Sequence, residues 1–172
     1  MPNYRRSYLP GGCYYFTVVT YQRRPLFFDE KHVGYLRDAM QQVMRERPFT
    51  IPAIVVLPDH LHCIMQLPDG DVDYSSRWRE IKKAVSRRIA PSSNVRKERM
   101  VWQRRFWEHT IRDEEDWNRH ADYIHYNPVK HGLVAAPALW PWTSFHKALE
   151  KGLYDPEWGL REPATIAHME PE

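Results

Sequence analysis

The sequence predicts an α+β domain built on one antiparallel, ferredoxin-like sheet (a split β-α-β arrangement), and three observations carry that prediction. Segments rich in β-branched and aromatic residues alternate with helical stripes in the order strand, helix, strand, strand, helix, strand. Only Pro58-Asp59 separates the second strand from the third, a connection short enough to require an antiparallel hairpin. A length of 172 residues with 42% hydrophobic and 13% aromatic content suits one core and is short for two, and no internal repeat is present.

Each element has its own signal. Residues 13–21 follow Pro10-Gly11-Gly12 and form the first strand. Asp29 caps a helix running to about Arg47, with Val33, Leu36, Met40, Val43 and Met44 at helical spacing, and Pro48 ends it. Residues 53–57 are a continuous apolar strand, and residues 60–67 are the next. Ser75 or Ser76 caps a second helix to about Ala90 that turns Trp78, Ile81, Val85 and Ile89 inward. A basic loop is expected at 92–99, a fourth strand at 106–112, and a third helix from an Asp113 cap to about Tyr126, broken by Asn127-Pro128. A single domain is thus expected over 1–152. The last segment, 153–172, mixes prolines and glutamates without periodicity and is expected to be a flexible tail, with competition against an anionic ligand for a basic cleft as the secondary reading.

Charge is distributed unevenly. The formal net charge is +3, yet residues 77–105 hold eleven Lys and Arg against Glu80 and Glu98, a local +9 that leaves the rest at −6. Such concentration suits a polyanion, foremost nucleic acid. Arg77, Arg79, Lys82, Lys83, Arg87 and Arg88 on the second helix, with Arg104 and Arg105 beyond it, are the expected phosphate contacts. Trp78, Trp102, Phe106 and Trp107 lie among them as surfaces for base stacking, with Trp78 assigned to the core first. No apolar run reaches about 18 residues and the N-terminus has no secretory pattern, so a soluble, intracellular protein without a membrane partner is expected. Cys13 and Cys63 make neither a metal pair nor a disulfide framework.

The third strand carries the chemistry. In Val56-Leu57-Pro58-Asp59-His60-Leu61-His62-Cys63-Ile64-Met65-Gln66-Leu67, alternation puts His60 and His62 on one face and Leu61, Cys63, Met65 and Leu67 on the other. Two imidazoles two strand positions apart can share one metal ion if a third ligand arrives from elsewhere. Alone, the pair fits a half-solvated sheet face better than a metal site. On the third helix, Tyr123 and Asn127 stand four apart and share a side. If that helix covers the histidines, Asn127 offers an oxygen to a hard cation such as Mg²⁺ or Mn²⁺, and Tyr123 offers a phenol to a phosphodiester. His125 borders that side as a supporting or DNA-contacting residue, Tyr126 is the competing phenol, and His109 beside Glu108 reads as packing or hydrogen bonding.

The chain resembles the single-tyrosine HUH nucleases, and within them the REP-associated tyrosine transposases. The matching runs are Tyr4-Arg5-Arg6, Gly11-Gly12, the strand from Val56 to Cys63, Ser75-Ser76-Arg77-Trp78-Arg79-Glu80-Ile81-Lys82-Lys83, Arg105-Phe106-Trp107-Glu108-His109 and Asp122-Tyr123-Ile124-His125-Tyr126-Asn127-Pro128-Val129-Lys130-His131-Gly132. The resemblance implies the HUH nuclease form of the fold, Tyr123 as nucleophile, His60 and His62 as metal ligands and Asn127 as third ligand. Related insertion-sequence transposases place glutamine where Asn127 stands. The resemblance also implies a divalent metal, single-stranded DNA with a hairpin from a repetitive extragenic palindrome, and nicking and rejoining through a 5′-phosphotyrosine. It implies a bacterial, cytoplasmic, nucleoid-associated protein acting as monomer or homodimer. Two rival classes are a DNA-binding regulator that does not cut and a metal hydrolase of small substrates. The hydrolase lacks a zinc-protease spacing and leaves the basic stretch without a use.

Overall fold

The computed structural model describes residues 5–90 and 101–169. The basic loop expected at 92–99, Tyr4, and the terminal glutamates Glu170 and Glu172 lie outside the described residues. Strands β1 (Cys13–Val19), β2 (Thr50–Val56), β3 (His60–Gln66) and β4 (Trp107–Thr110) form one antiparallel sheet in the order β2-β3-β1-β4. Strand β3 runs between β1 and β2, which is the split β-α-β topology expected. Pro52 is accommodated because β2 is an edge strand, and the register shifts beside it.

Side-chain alternation divides the sheet into two working faces. Tyr14, Phe16 and Val18 of β1 and Leu61, Cys63 and Met65 of β3 meet helices α1 (Glu30–Glu46) and α2 (Tyr74–Ile89) in the larger core. Val33, Leu36, Met40 and Val43 come from α1, and Trp78, Ile81 and Val85 from α2. Tyr15, Val55 and Ile64 face the other way and are covered by Ala121, Tyr123 and Ile124 of helix α3 (Glu114–Lys130). A short helix α4 (Phe145–Glu150) follows. Helix caps are local: the side chains of Asp29, Asp73 and Asp113 accept from Lys31 N, Ser76 N and Asp116 N. Asp73 therefore replaces the serines expected to cap α2, and the helix starts two or three residues earlier.

Two further expectations fail. Helix α3 does not break at Asn127-Pro128 but continues to Lys130. Leu133 N donates to Pro128 O and Gly132 N to Val129 O, with Gly132 at φ 69°, a Schellman closure that ends the helix only after the proline. The segment after 152 is not a loose tail over its described part. Tyr154 Oη and Thr165 Oγ1 donate to the two carboxylate oxygens of Asp122 at 2.8 and 2.6 Å, and Ile166 is buried in the second core. Trp158 packs on Phe145 and Tyr154. Isolated anchors at irregular spacing hold it, which periodicity does not register. Among the described residues, no helix is long and apolar enough to cross a membrane.

Candidate active site

Strand β3 and helix α3 bring the expected chemistry together. His60 and His62 lie on the face covered by α3, with ring centroids 4.8 Å apart and planes at 81°. The His60 Nδ1 is 2.6 Å from Asp59 Oδ1, and His62 Nδ1 is 2.7 Å from Tyr15 Oη and 2.9 Å from Thr17 Oγ1. These partners orient the rings and leave Nε2 as the nitrogen that each can give to an ion. Burial alone would raise the Asp59 carboxyl, but the bond to His60 and the Arg23 guanidinium hold it below its ordinary value.

The Tyr123 ring stands edge-on to His62, with centroids 5.5 Å apart. Asn127, one turn further along α3, is fully buried, and neither its Oδ1 nor its Nδ2 has a hydrogen-bond partner among the described residues. A buried amide left so is costly unless something else satisfies it. Two imidazoles and one amide oxygen form a mixed nitrogen and oxygen donor set that fits a divalent cation, so these residues suit the expected metal.

Lys130 and His131, to which the sequence pattern assigns no role, stand beside these residues. Lys130 Nζ donates to Tyr123 Oη at 3.1 Å and lies 4.6 Å from its ring centroid. Seven residues separate the two, two helical turns, a spacing that exists because the helix runs on past Asn127 to Lys130. The His131 ring lies 5.1 Å from that of His60. His109, Asp116 and His120 have potential ligand atoms within 4.8 Å of one another. Their existing bonds knit β4 to α3: His109 Nε2 is 2.8 Å from Asp116 Oδ2, and His120 Nδ1 is turned to the Asp116 carbonyl at 2.8 Å. The hydrogen-bonding role expected for His109 is what it plays here.

Other expected residues are placed differently. His125 is buried with Tyr154 Oη at 3.0 Å and Ser144 Oγ at 2.9 Å, and burial pushes its pKa down to about 4. It is a neutral structural link, not a DNA contact. Tyr126 packs at the rim of the second core near Gly159. Arg77 also departs from expectation: it is 2% exposed, paired with Asp71 at 2.7 Å, and donates to the carbonyls of Asp73, Pro48 and Arg47. A guanidinium so committed cannot serve as a phosphate contact. Arg79, Arg87, Arg88, Arg104 and Arg105 are exposed, while Lys82 and Lys83 are half-buried. Arg88 pairs with Asp38, and Lys82 Nζ donates to Gln103 O, with burial and the nearby Arg6 pushing its pKa down to about 8. Trp78 and Trp102 are buried, leaving Trp107, at 37% exposure, as the open ring among the expected stacking residues. Helix α2 lies across the sheet from the histidines, so its cations do not line the tyrosine site.

Residues 11–127 match the family described as Transposase IS200 like. The chain belongs to this family of transposases. A REP-associated tyrosine transposase of Escherichia coli is 46% identical over 158 residues, covering 92% of this chain and 91% of that protein. A putative REP-associated tyrosine transposase of Haemophilus influenzae is 41% identical over 166 residues, covering 92% and 94%. A solved structure of a REP-associated tyrosine transposase bound to a REP hairpin superposes with a TM-score of 0.82 at 44% identity over 96% of both chains. The resemblance drawn from the motif runs therefore holds for this transposase, as does its fold. An enzyme, not a regulator outside the family, is what these relatives support.

Proposed function

We propose that this transposase nicks and rejoins single-stranded DNA beside a hairpin of the repetitive-palindrome kind, through a 5′-phosphotyrosine at Tyr123. The observation that carries this reading is the phenol of Tyr123 held against His62 on the helix that also delivers the unsatisfied Asn127 amide. The relative bound to a REP hairpin supports the choice of DNA. His60 Nε2, His62 Nε2 and Asn127 Oδ1 would hold a divalent ion, Mg²⁺ or Mn²⁺. When bound, such an ion supplies Lewis acidity toward the scissile phosphodiester.

The chain's own residues do the rest. Tyr15 and Thr17 fix the His62 ring, and Asp59 fixes that of His60. Packing on Tyr15 and His62 fixes the Tyr123 ring, so the nucleophile is oriented before DNA arrives. Its Oη forms a bond to phosphorus as the bond to the 3′-oxygen breaks. The phenolic proton leaves to solvent, and the 3′-oxygen takes one up. One phosphoester replaces another at similar energy, so a 3′-hydroxyl can reverse the step without ATP.

The test is a denaturing gel on single-stranded hairpin oligonucleotides labelled on the 3′ side of potential cuts. A covalent protein-DNA band is expected with Mg²⁺ or Mn²⁺ and lost with EDTA. Hairpin binding without any band would favour a regulator that does not cut. For affinity, the proposed phosphate contacts are Arg79, Lys82, Lys83, Arg87, Arg88, Arg104 and Arg105. Replacing Arg79, Lys83 and Arg87 with glutamine is expected to weaken binding to all sequences and flatten the log-log salt dependence by roughly two units. An unchanged slope would remove α2 from the DNA surface.

A further inference from the structure

We infer that Lys130 is a catalytic residue, a fixed cation that holds the negative charge developing on Tyr123 Oη as it attacks phosphorus. The inference rests on Tyr123 being the nucleophile, and adds the group that makes its oxygen reactive. A phenol has a pKa near 10 and attacks poorly while it keeps its proton. Lys130 Nζ already donates to that oxygen at 3.1 Å, within the range of a hydrogen bond and on the reacting atom itself.

The position depends on the path of the backbone. Helix α3 passes through Pro128 and closes at Gly132, which keeps Lys130 helical and two turns from Tyr123 on the same side. Had the helix ended at Asn127, nothing would hold the ammonium there. Its other recorded polar neighbour is the carbonyl of Met169 at 3.5 Å, an acceptor that leaves the positive charge uncompensated. No carboxylate is recorded within ion-pair distance of Lys130 among the described residues. A lysine serving only to cap a helix C-terminus needs no contact with a buried phenol seven residues back.

The step balances as before: an Oη–P bond forms, the P–O3′ bond breaks, one proton leaves the phenol and one reaches the 3′-oxygen. Lys130 donates its hydrogen bond throughout and transfers no proton. Its donated hydrogen bond strengthens as charge collects on Oη, so it lowers the barrier and not the energy of the bound substrate. Because cleavage and rejoining share that transition state, both directions gain.

The test is single-turnover adduct formation at saturating hairpin oligonucleotide with Mg²⁺, comparing wild type, Lys130→Met, Lys130→Arg and Tyr123→Phe, with DNA affinity measured separately. Lys130→Met is expected to slow adduct formation at saturation by about 10- to 100-fold, to slow rejoining comparably, and to leave affinity unchanged. Lys130→Arg keeps the charge and is expected to recover most of the rate. A wild-type rate in Lys130→Met overturns the inference. So does a defect confined to affinity, which would make Lys130 a phosphate contact, or a loss that Lys130→Arg does not relieve in a folded protein. An adduct that persists in Tyr123→Phe, or none in wild type, instead brings down the reading on which the inference rests.

Discussion

Tyr123→Phe is expected to form no covalent adduct with hairpin DNA while binding that DNA as well as wild type does. The substitution removes one oxygen and keeps the ring, whose packing against Tyr15 and His62 is what orders it. The lost bond from Lys130 costs about 1 kcal/mol of stability, too little to unfold the domain. The loss of the nucleophile is of another order, at least about 10⁴-fold in rate. Tyr126→Phe serves as the matched control, since that ring lies at the rim of the second core, and it is expected to form adduct at the wild-type rate. Denaturing gels on the two variants read both outcomes. An adduct in Tyr123→Phe that disappears in Tyr126→Phe would move the nucleophile three residues along α3.

Arg77→Ala is expected to cost about 3–5 kcal/mol of folding stability without lowering the salt dependence of DNA binding in the protein that remains folded. Arg77 is buried and bridges the Asp71 carboxylate, the Asp73 carbonyl at the start of α2, and the Arg47 and Pro48 carbonyls after α1. Truncation strands those acceptors together. For a chain of this length the loss is a fall in Tm of roughly 10 °C, readable by thermal or urea unfolding. Arg77→Lys should recover little, because one ammonium cannot reproduce a planar fork that reaches four groups. The hydrogen bond from Arg77 also holds the Asp71 carboxyl below its ordinary value. That contribution is therefore present above the unfolded carboxyl pKa and lost as pH falls through the folded one. A variant of wild-type stability with a flattened salt slope would return Arg77 to the DNA surface.

The same residue shows what sequence patterns carry and what they miss. Arg77, Ile81 and Val85 stand at i, i+4 and i+8, a spacing that lies along the buried stripe although Arg77 was expected at the phosphates. Its charge argued for solvent, and the partners that overturn that, two backbone carbonyls from a distant turn, leave no mark in the sequence. Strand alternation was legible in β1 and β3 because each side of the sheet is covered by a different layer, and the histidine face followed from it. The Asp113 cap of α3 was legible for the same local reason. Passage of α3 through Pro128 was not, since the Schellman closure that permits it involves Gly132 and Leu133 beyond the apparent break. Nor was the packing of the C-terminal segment, whose anchors at Tyr154, Thr165 and Ile166 have no period.

The placement of α2 and α3 on opposite faces sets a lower limit on ligand size. A helix layer is about 10–12 Å across, so through the sheet the outer surface of α2 and the Tyr123 side lie on the order of 20 Å apart. The β2 edge is occupied, with Val56 N donating to Trp142 O and Ser144 N to Ile54 O, whereas no described strand pairs beyond β4. A polyanion touching both surfaces would therefore pass around the β4 rim, beside Arg104, Arg105 and the exposed ring of Trp107. At about 3.4 Å per nucleotide, spanning that distance takes roughly six nucleotides of a stacked strand, and a stacked ligand shorter than that engages one surface at a time.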